Sequence, residues 1–130
     1  MRARWAAVAL VIVALAAGCG GGSADPEETP PPNTPGYRLA LLDGEADPSL
    51  ATIRRYDSAI QTVASGCKGS DVEVARLAQE SREALTNGKV FEDIIVILRD
   101  VAGYTADAAE CKTAFTSYVV VQLKAENDPN

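Results

Sequence analysis

Histidine is missing from all 130 residues of this chain. With it go the commonest general base and the commonest metal ligand, so His-dependent catalytic triads and mixed Cys/His zinc sites cannot be built. Positive charge is also in short supply: 12 Lys+Arg stand against 18 Asp+Glu, a net charge of -6. An acidic chain lacks the basic footprint that nucleic-acid phosphates require, and lacks the polybasic patch of a membrane-surface binder. No Walker-type loop, nucleophile elbow or dinucleotide-binding glycine pattern occurs. Aromatic residues make up only 5% of the chain, so any core must be built mainly from aliphatic side chains. Those are plentiful: 47% of the residues are hydrophobic, in a length that suits one domain.

Part of that apolar content is concentrated at the start. Arg2 and Arg4 precede "WAAVALVIVALAA", Trp5 to Ala17, thirteen residues without a charge. A membrane-spanning helix needs about 20 such residues. A basic start, a short apolar stretch and small residues behind it describe a secretory signal peptide.

The stretch ends in "LAAGC", Leu15 to Cys19. This resembles the lipobox of bacterial lipoproteins, with Ala16, Ala17, Gly18 and Cys19 at the matching positions and Ala16 where that family prefers leucine. The resemblance implies cleavage before Cys19, a diacylglycerol on its sulfur and attachment to the extracytoplasmic face of the cell membrane. Ordinary secretion is the alternative, because Ala14, Leu15 and Ala16 also form an A-x-A cleavage site. The chain has three cysteines, Cys19, Cys67 and Cys111. If Cys19 carries lipid, the other two are left to pair as one disulfide outside the cytosol. Loss of Arg2 and Arg4 would take the formal charge from -6 to -8.

Gly20 to Gly36 reads "GGGSADPEETPPPNTPG". It holds no large apolar residue to offset ordering entropy, and reads as a disordered spacer reaching about 50 Å when fully extended. The expected organisation is a signal peptide over 1–18, lipidated Cys19 and linker over 19–36, a helical domain over 37–125, and a frayed tail over 126–130.

Within the domain, Leu50, Ile53, Tyr56, Ile60, Val63 and Cys67 step by three or four, predicting a helix from about Pro48 to Ser65 with Asp47 as N-cap. "SDVE" at Ser70–Glu73 is a capping box that opens a second helix, whose face is Val74, Leu77, Ala78 and Leu85. Asn87–Gly88 supplies a left-handed stop. The third segment, about Val90 to Ala102, carries a stripe of Phe91, Ile94, Ile95, Leu98 and Val101, and predicts a nearly surrounded central helix. The fourth runs from about Thr105 to Lys124 through Ala108, Cys111, Phe115, Tyr118 and Gln122. Ile94–Leu98 and Tyr118–Leu123 are also strand-like, which leaves an α+β domain open. Tyr37–Asp43 is too short to assign. The expected fold is all-α, a compact bundle of about four helices stapled by one disulfide.

The spacing of "DPS" at Asp47–Ser49, Cys67, "ILR" at Ile97–Arg99, Cys111 and "YVV" at Tyr118–Val120 resembles small exported proteins of high-GC Gram-positive bacteria. That resemblance implies export and a disulfide-stapled helical fold, and implies no activity.

Candidate chemistry is thin. Asp43, Glu45 and Asp47 alternate like the opening of a calcium loop, but Pro48 stands where the loop needs glycine and Arg54 where it needs glutamate. Glu92, Asp93 and Asp100 read as a solvated helix face. The expected function is therefore a non-enzymatic, membrane-anchored binding or structural module of the cell envelope, with no cofactor, no metal and no nucleic acid. Tyr37 and Tyr104 are the first candidates for a protein-partner surface. A carrier for a small apolar ligand held between the helices is the alternative. A hydrolase using carboxylates alone has nothing in its favour.

Overall fold

The computed structural model of the chain describes residues 33–128. The expected signal peptide, Cys19 and most of the expected linker lie outside them. Among the described residues the regular structure is entirely helical: α1 (Pro35–Leu42), α2 (Leu50–Cys67), α3 (Asp71–Asn87), α4 (Ile94–Val101), a 3-10 turn (Ala102–Tyr104) and α5 (Cys111–Asn127). Both strand-like runs are helix, which settles the fold as all-α.

Among the described residues the first helix begins at Pro35, two residues ahead of the expected domain boundary. Thr34 caps α1, its hydroxyl accepting from Tyr37 N (3.4 Å) and donating to Asp57 Oδ2 (2.7 Å). Asp57 also accepts from Gly36 N at 2.8 Å, so a carboxylate on α2 holds the first turn of α1. Any side chain at position 36 would collide with Asp57. The short segment 37–43 that periodicity left unassigned thus becomes a helix through a partner outside it.

Helix α2 is capped by Ser49, not Asp47: Ser49 Oγ accepts from Thr52 N at 3.1 Å, and Pro48 is buried just ahead of the helix. The predicted stripe is buried from Ile53 through Cys67, while Leu50 is exposed. The start of α3 is as predicted at Ser70, whose Oγ accepts from Glu73 N at 3.1 Å and forms one half of the capping box, and Val74, Leu77, Ala78 and Leu85 are buried. Its stop differs. Gly88 has φ -90°, and the left-handed residue is Lys89 at φ 70°. Gly88 is needed for space instead, because a Cβ there would run into Leu123.

Helix α4 begins only at Ile94. Its buried stripe is Ile94, Ile97, Leu98 and Val101, with Phe91 left outside the helix and 74% exposed. Every other helix touches α4, which makes this short segment the centre of the bundle. Burial of each of its four apolar side chains stabilises the fold by about 1.5–3 kcal/mol. Helix α5 starts at Cys111, six residues later than predicted, because the chain first closes a turn in which Thr105 Oγ1 donates to Ala102 O (2.9 Å) and Ala108 N to Thr105 O (3.2 Å). Ala108 accordingly leaves the predicted stripe. At the far end the helix persists to Asn127, whose Nδ2 donates to Leu123 O at 2.8 Å, so ordered structure overruns the expected boundary at 125.

Candidate functional site

Cys67 is the last residue of α2 and Cys111 the first of α5, and they form a disulfide with Cα atoms 4.9 Å apart. The bridge joins elements 44 residues apart in sequence. Both cysteines are buried. The turn between α2 and α3 is shaped around it. Lys68 takes the left-handed conformation (φ 59°), and Gly69 follows because a Cβ there would strike the Cys111 sulfur.

The acidic alternation resolves into something other than a cation loop. Glu45 and Asp47 are exposed, whereas the Asp43 side chain is only 4% exposed and lies at the N-terminus of α4. Its Oδ1 accepts from Ile94 N at 2.7 Å, and its Oδ2 from Ile95 N at 3.1 Å. Tyr56 donates its hydroxyl to Oδ2 at 2.5 Å. Arg82 Nη1 bridges Leu42 O (2.6 Å) and Asp43 Oδ1 (3.3 Å). The residue that precedes α4, Asp93, makes no side-chain capping bond. Asp43 therefore serves as a cap supplied from the end of α1. It satisfies two otherwise unpartnered backbone donors and places a negative charge at the positive end of the helix dipole. The Tyr56 hydroxyl is held protonated well above the usual tyrosine range, first by burial and then by its bond to Asp43.

The two tyrosines nominated as a partner surface are half-buried. Tyr37 lies in α1. Tyr104 packs against the core and meets Tyr118 edge-on, with ring centroids 5.9 Å apart, so its ring is engaged in packing. Large apolar side chains that do reach solvent are Phe91, Val72, Val120 and Val121, with Leu41, Leu42 and Leu50 less so. Of the carboxylates read as a solvated face, Asp93 and Asp100 are exposed and Glu92 is half-buried. Burial first, then the negative charges of Asp100 and Glu92, push the Tyr118 hydroxyl up to about 12.

No helix among the described residues is long and apolar enough to cross a membrane. Compared with protein-family models, curated proteins and solved structures, the chain matches none.

Proposed function

We propose that this chain is an exported lipoprotein, diacylated at Cys19, tethered to the outer face of the cell membrane, and presenting a non-enzymatic binding or structural module to an envelope partner. The observation that carries the reading is the pairing of Cys67 with Cys111. It uses two of three cysteines and leaves Cys19, at the end of the Trp5–Ala17 apolar run, as the one without a partner inside the fold. A buried structural disulfide belongs to compartments outside the reducing cytosol, in keeping with a signal peptide. The first described helix is capped by Thr34, which leaves residues 20–33 as the proposed spacer, with a reach of about 40 Å when fully extended.

A role without carboxylate catalysis is supported by how the partly buried aspartates are used. Asp43 and Asp57 each hold the first turn of another helix through backbone N–H groups. Neither has an oxygen left idle for acid–base work.

The test is the intact mass of the protein recovered from its native membrane fraction. A chain that starts at Cys19, carries acyl mass and lacks two hydrogens for the Cys67–Cys111 bridge is the expected result. A lipid-free chain that starts at Ala17 refutes the anchor and makes this a secreted protein with a spare thiol at Cys19.

A further inference from the structure

Helices α2 and α4 leave a solvent-open cleft of about 240 Å³ between them. Arg55, Ser58, Ala59 and Thr62 of α2 face Ile95, Leu98 and Arg99 of α4 and Ala102 of the 3-10 turn, each set at helical spacing. Its floor is apolar: Leu98 is fully buried, and Ile95 packs against the core beside two alanines. Its rim is polar, carrying Arg55, Ser58 and Thr62 from α2 and Arg99 from α4.

Two arginines and no carboxylate line this cleft, in a chain of net charge -6. The acids closest to them in sequence are committed elsewhere. Asp57 is taken by Thr34 and Gly36, and Asp100 stands by the Tyr118 hydroxyl. Of the other arginines, Arg76 pairs with Glu80 and Arg82 with Asp43, while Arg38 and Arg54 are exposed and do not line this cleft. Among the described residues Arg55 makes no hydrogen bond or ion pair and lies over the ring of Tyr56, 5.8 Å from its centroid, which leaves its guanidinium donors available. The Ser58 hydroxyl has no partner among the described residues, and Thr62 spends its proton on Ser58 O.

We propose that this cleft binds a small amphipathic phosphate, with the head group between Arg55 and Arg99 and a short apolar body on Ile95 and Leu98. Guanidinium forks match the oxygens of phosphate bidentately. Two forks and a hydroxyl offer more donors than the two oxygens of a carboxylate can accept, and they suit a phosphate. The volume falls just below the roughly 300–1,000 Å³ of drug-sized pockets, which fits a head group with a few carbons behind it. The inference stands on the cleft alone and does not rest on the anchor at Cys19.

The probe is octyl phosphate added to the full chain, followed by titration calorimetry and by NMR of the arginine Nε–H groups. Octyl phosphate is expected to move the Arg55 and Arg99 signals and to bind at least about tenfold more tightly than inorganic phosphate or the neutral octyl glucoside. The double variant Arg55→Gln/Arg99→Gln should lose about tenfold or more in affinity. Arg54→Gln, an exposed neighbour that does not line the cleft, should lose nothing. All three replaced side chains are exposed, and thermal melts check that the variants stay folded. Vesicles of phosphatidylglycerol and phosphatidylcholine separate the sources. Retention on the anionic vesicles that falls in the double variant assigns the head group to a lipid, and unchanged retention assigns it to a soluble monoester. Binding that ignores both arginines, or inorganic phosphate binding as well as octyl phosphate, overturns the proposal.

Discussion

Asp43→Asn replaces one carboxylate oxygen with an NH2 group at nearly constant shape, at a side chain that is 4% exposed and meets four donors. The remaining amide oxygen can keep one side of the network, either Ile94 N with Arg82 or Ile95 N with Tyr56. If it keeps Ile94 N, the new NH2 faces Ile95 N–H and Tyr56. The Tyr56 hydroxyl can rotate to accept, but the backbone N–H cannot. A buried donor left without a partner costs about 1–3 kcal/mol. Removing the charge from the N-terminus of α4 adds about 0.3–1 kcal/mol. The half-exposed Arg82 loses an ion pair that contributes at most about 1 kcal/mol. Together these give about 1–5 kcal/mol, a large share of the 5–15 kcal/mol that typically holds a domain folded. The assay is urea unfolding followed by far-UV circular dichroism with the disulfide intact, reading a lower midpoint at unchanged slope. Tyr56→Phe alone and the double variant complete a thermodynamic cycle, in which the two losses should fall short of additive by at least about 0.5 kcal/mol. A loss below about 1 kcal/mol, or strict additivity with Tyr56→Phe, would refute the capping role.

Three further outcomes follow from the same geometry. Replacing both Cys67 and Cys111 with alanine should cost up to about 4 kcal/mol by loop-entropy arithmetic for a 44-residue separation, measured by the same urea unfolding; an unchanged midpoint would show that the bridge constrains nothing. Gly69→Ala should destabilise by about 1–3 kcal/mol because its methyl meets the Cys111 sulfur, while Lys68→Gly one residue earlier should be neutral or stabilise by up to about 1 kcal/mol by relieving a left-handed backbone. Paired thermal melts read the contrast, and equal effects at the two sites would contradict it. Tyr118 has its hydroxyl raised from 10.0 to about 12 in the fold, so the folded chain holds that proton more tightly than the unfolded chain. Its contribution to stability is complete below pH 10 and is lost as pH rises toward 12. Unfolding midpoints compared between the wild type and Tyr118→Phe across that window should show a steeper alkaline fall in the wild type.

The helical faces were legible because their signal is local. Ile53 to Cys67 in α2 and Val74 to Leu85 in α3 repeat at three and four residues, and that period alone names the buried side. Element ends were less legible wherever the deciding partner is remote in sequence. Ser70 caps its own helix and was readable; α1 needs Asp57, 21 residues after Gly36, and α4 needs Asp43, 51 residues before Ile94. Asn87–Gly88 signals a left-handed glycine, whereas the fold uses Gly88 for close approach and places the left-handed residue on Lys89. Tyr104, a candidate for a partner surface, is half-buried and meets Tyr118 of another helix edge-on, a contact that no local pattern signals. The Arg55–Arg99 cleft gave no local signal, since its walls are 44 residues apart and meet only through packing.

Across the fold, the excess of acid is not spread evenly. The two aspartates drawn into partly buried positions each sit on backbone N–H groups at the start of a helix. There a negative charge is favoured by the dipole and by charge-assisted hydrogen bonds, so partial burial costs little. Each aspartate lies outside the helix it caps, so α2 adds to the local Thr34 cap at the first turn of α1, and the end of α1 supplies the side-chain cap that α4 lacks. These bonds link local helix formation to tertiary assembly, which short helices of eight residues require because they are marginal alone. The same arrangement ties the start of α1 to α2. Asp57 grips Thr34 and Gly36, so whatever pulls on the residues before Thr34 pulls first on a carboxylate in the middle of α2. An anchored chain would thereby transmit tension to the core of the bundle and not to a fraying end.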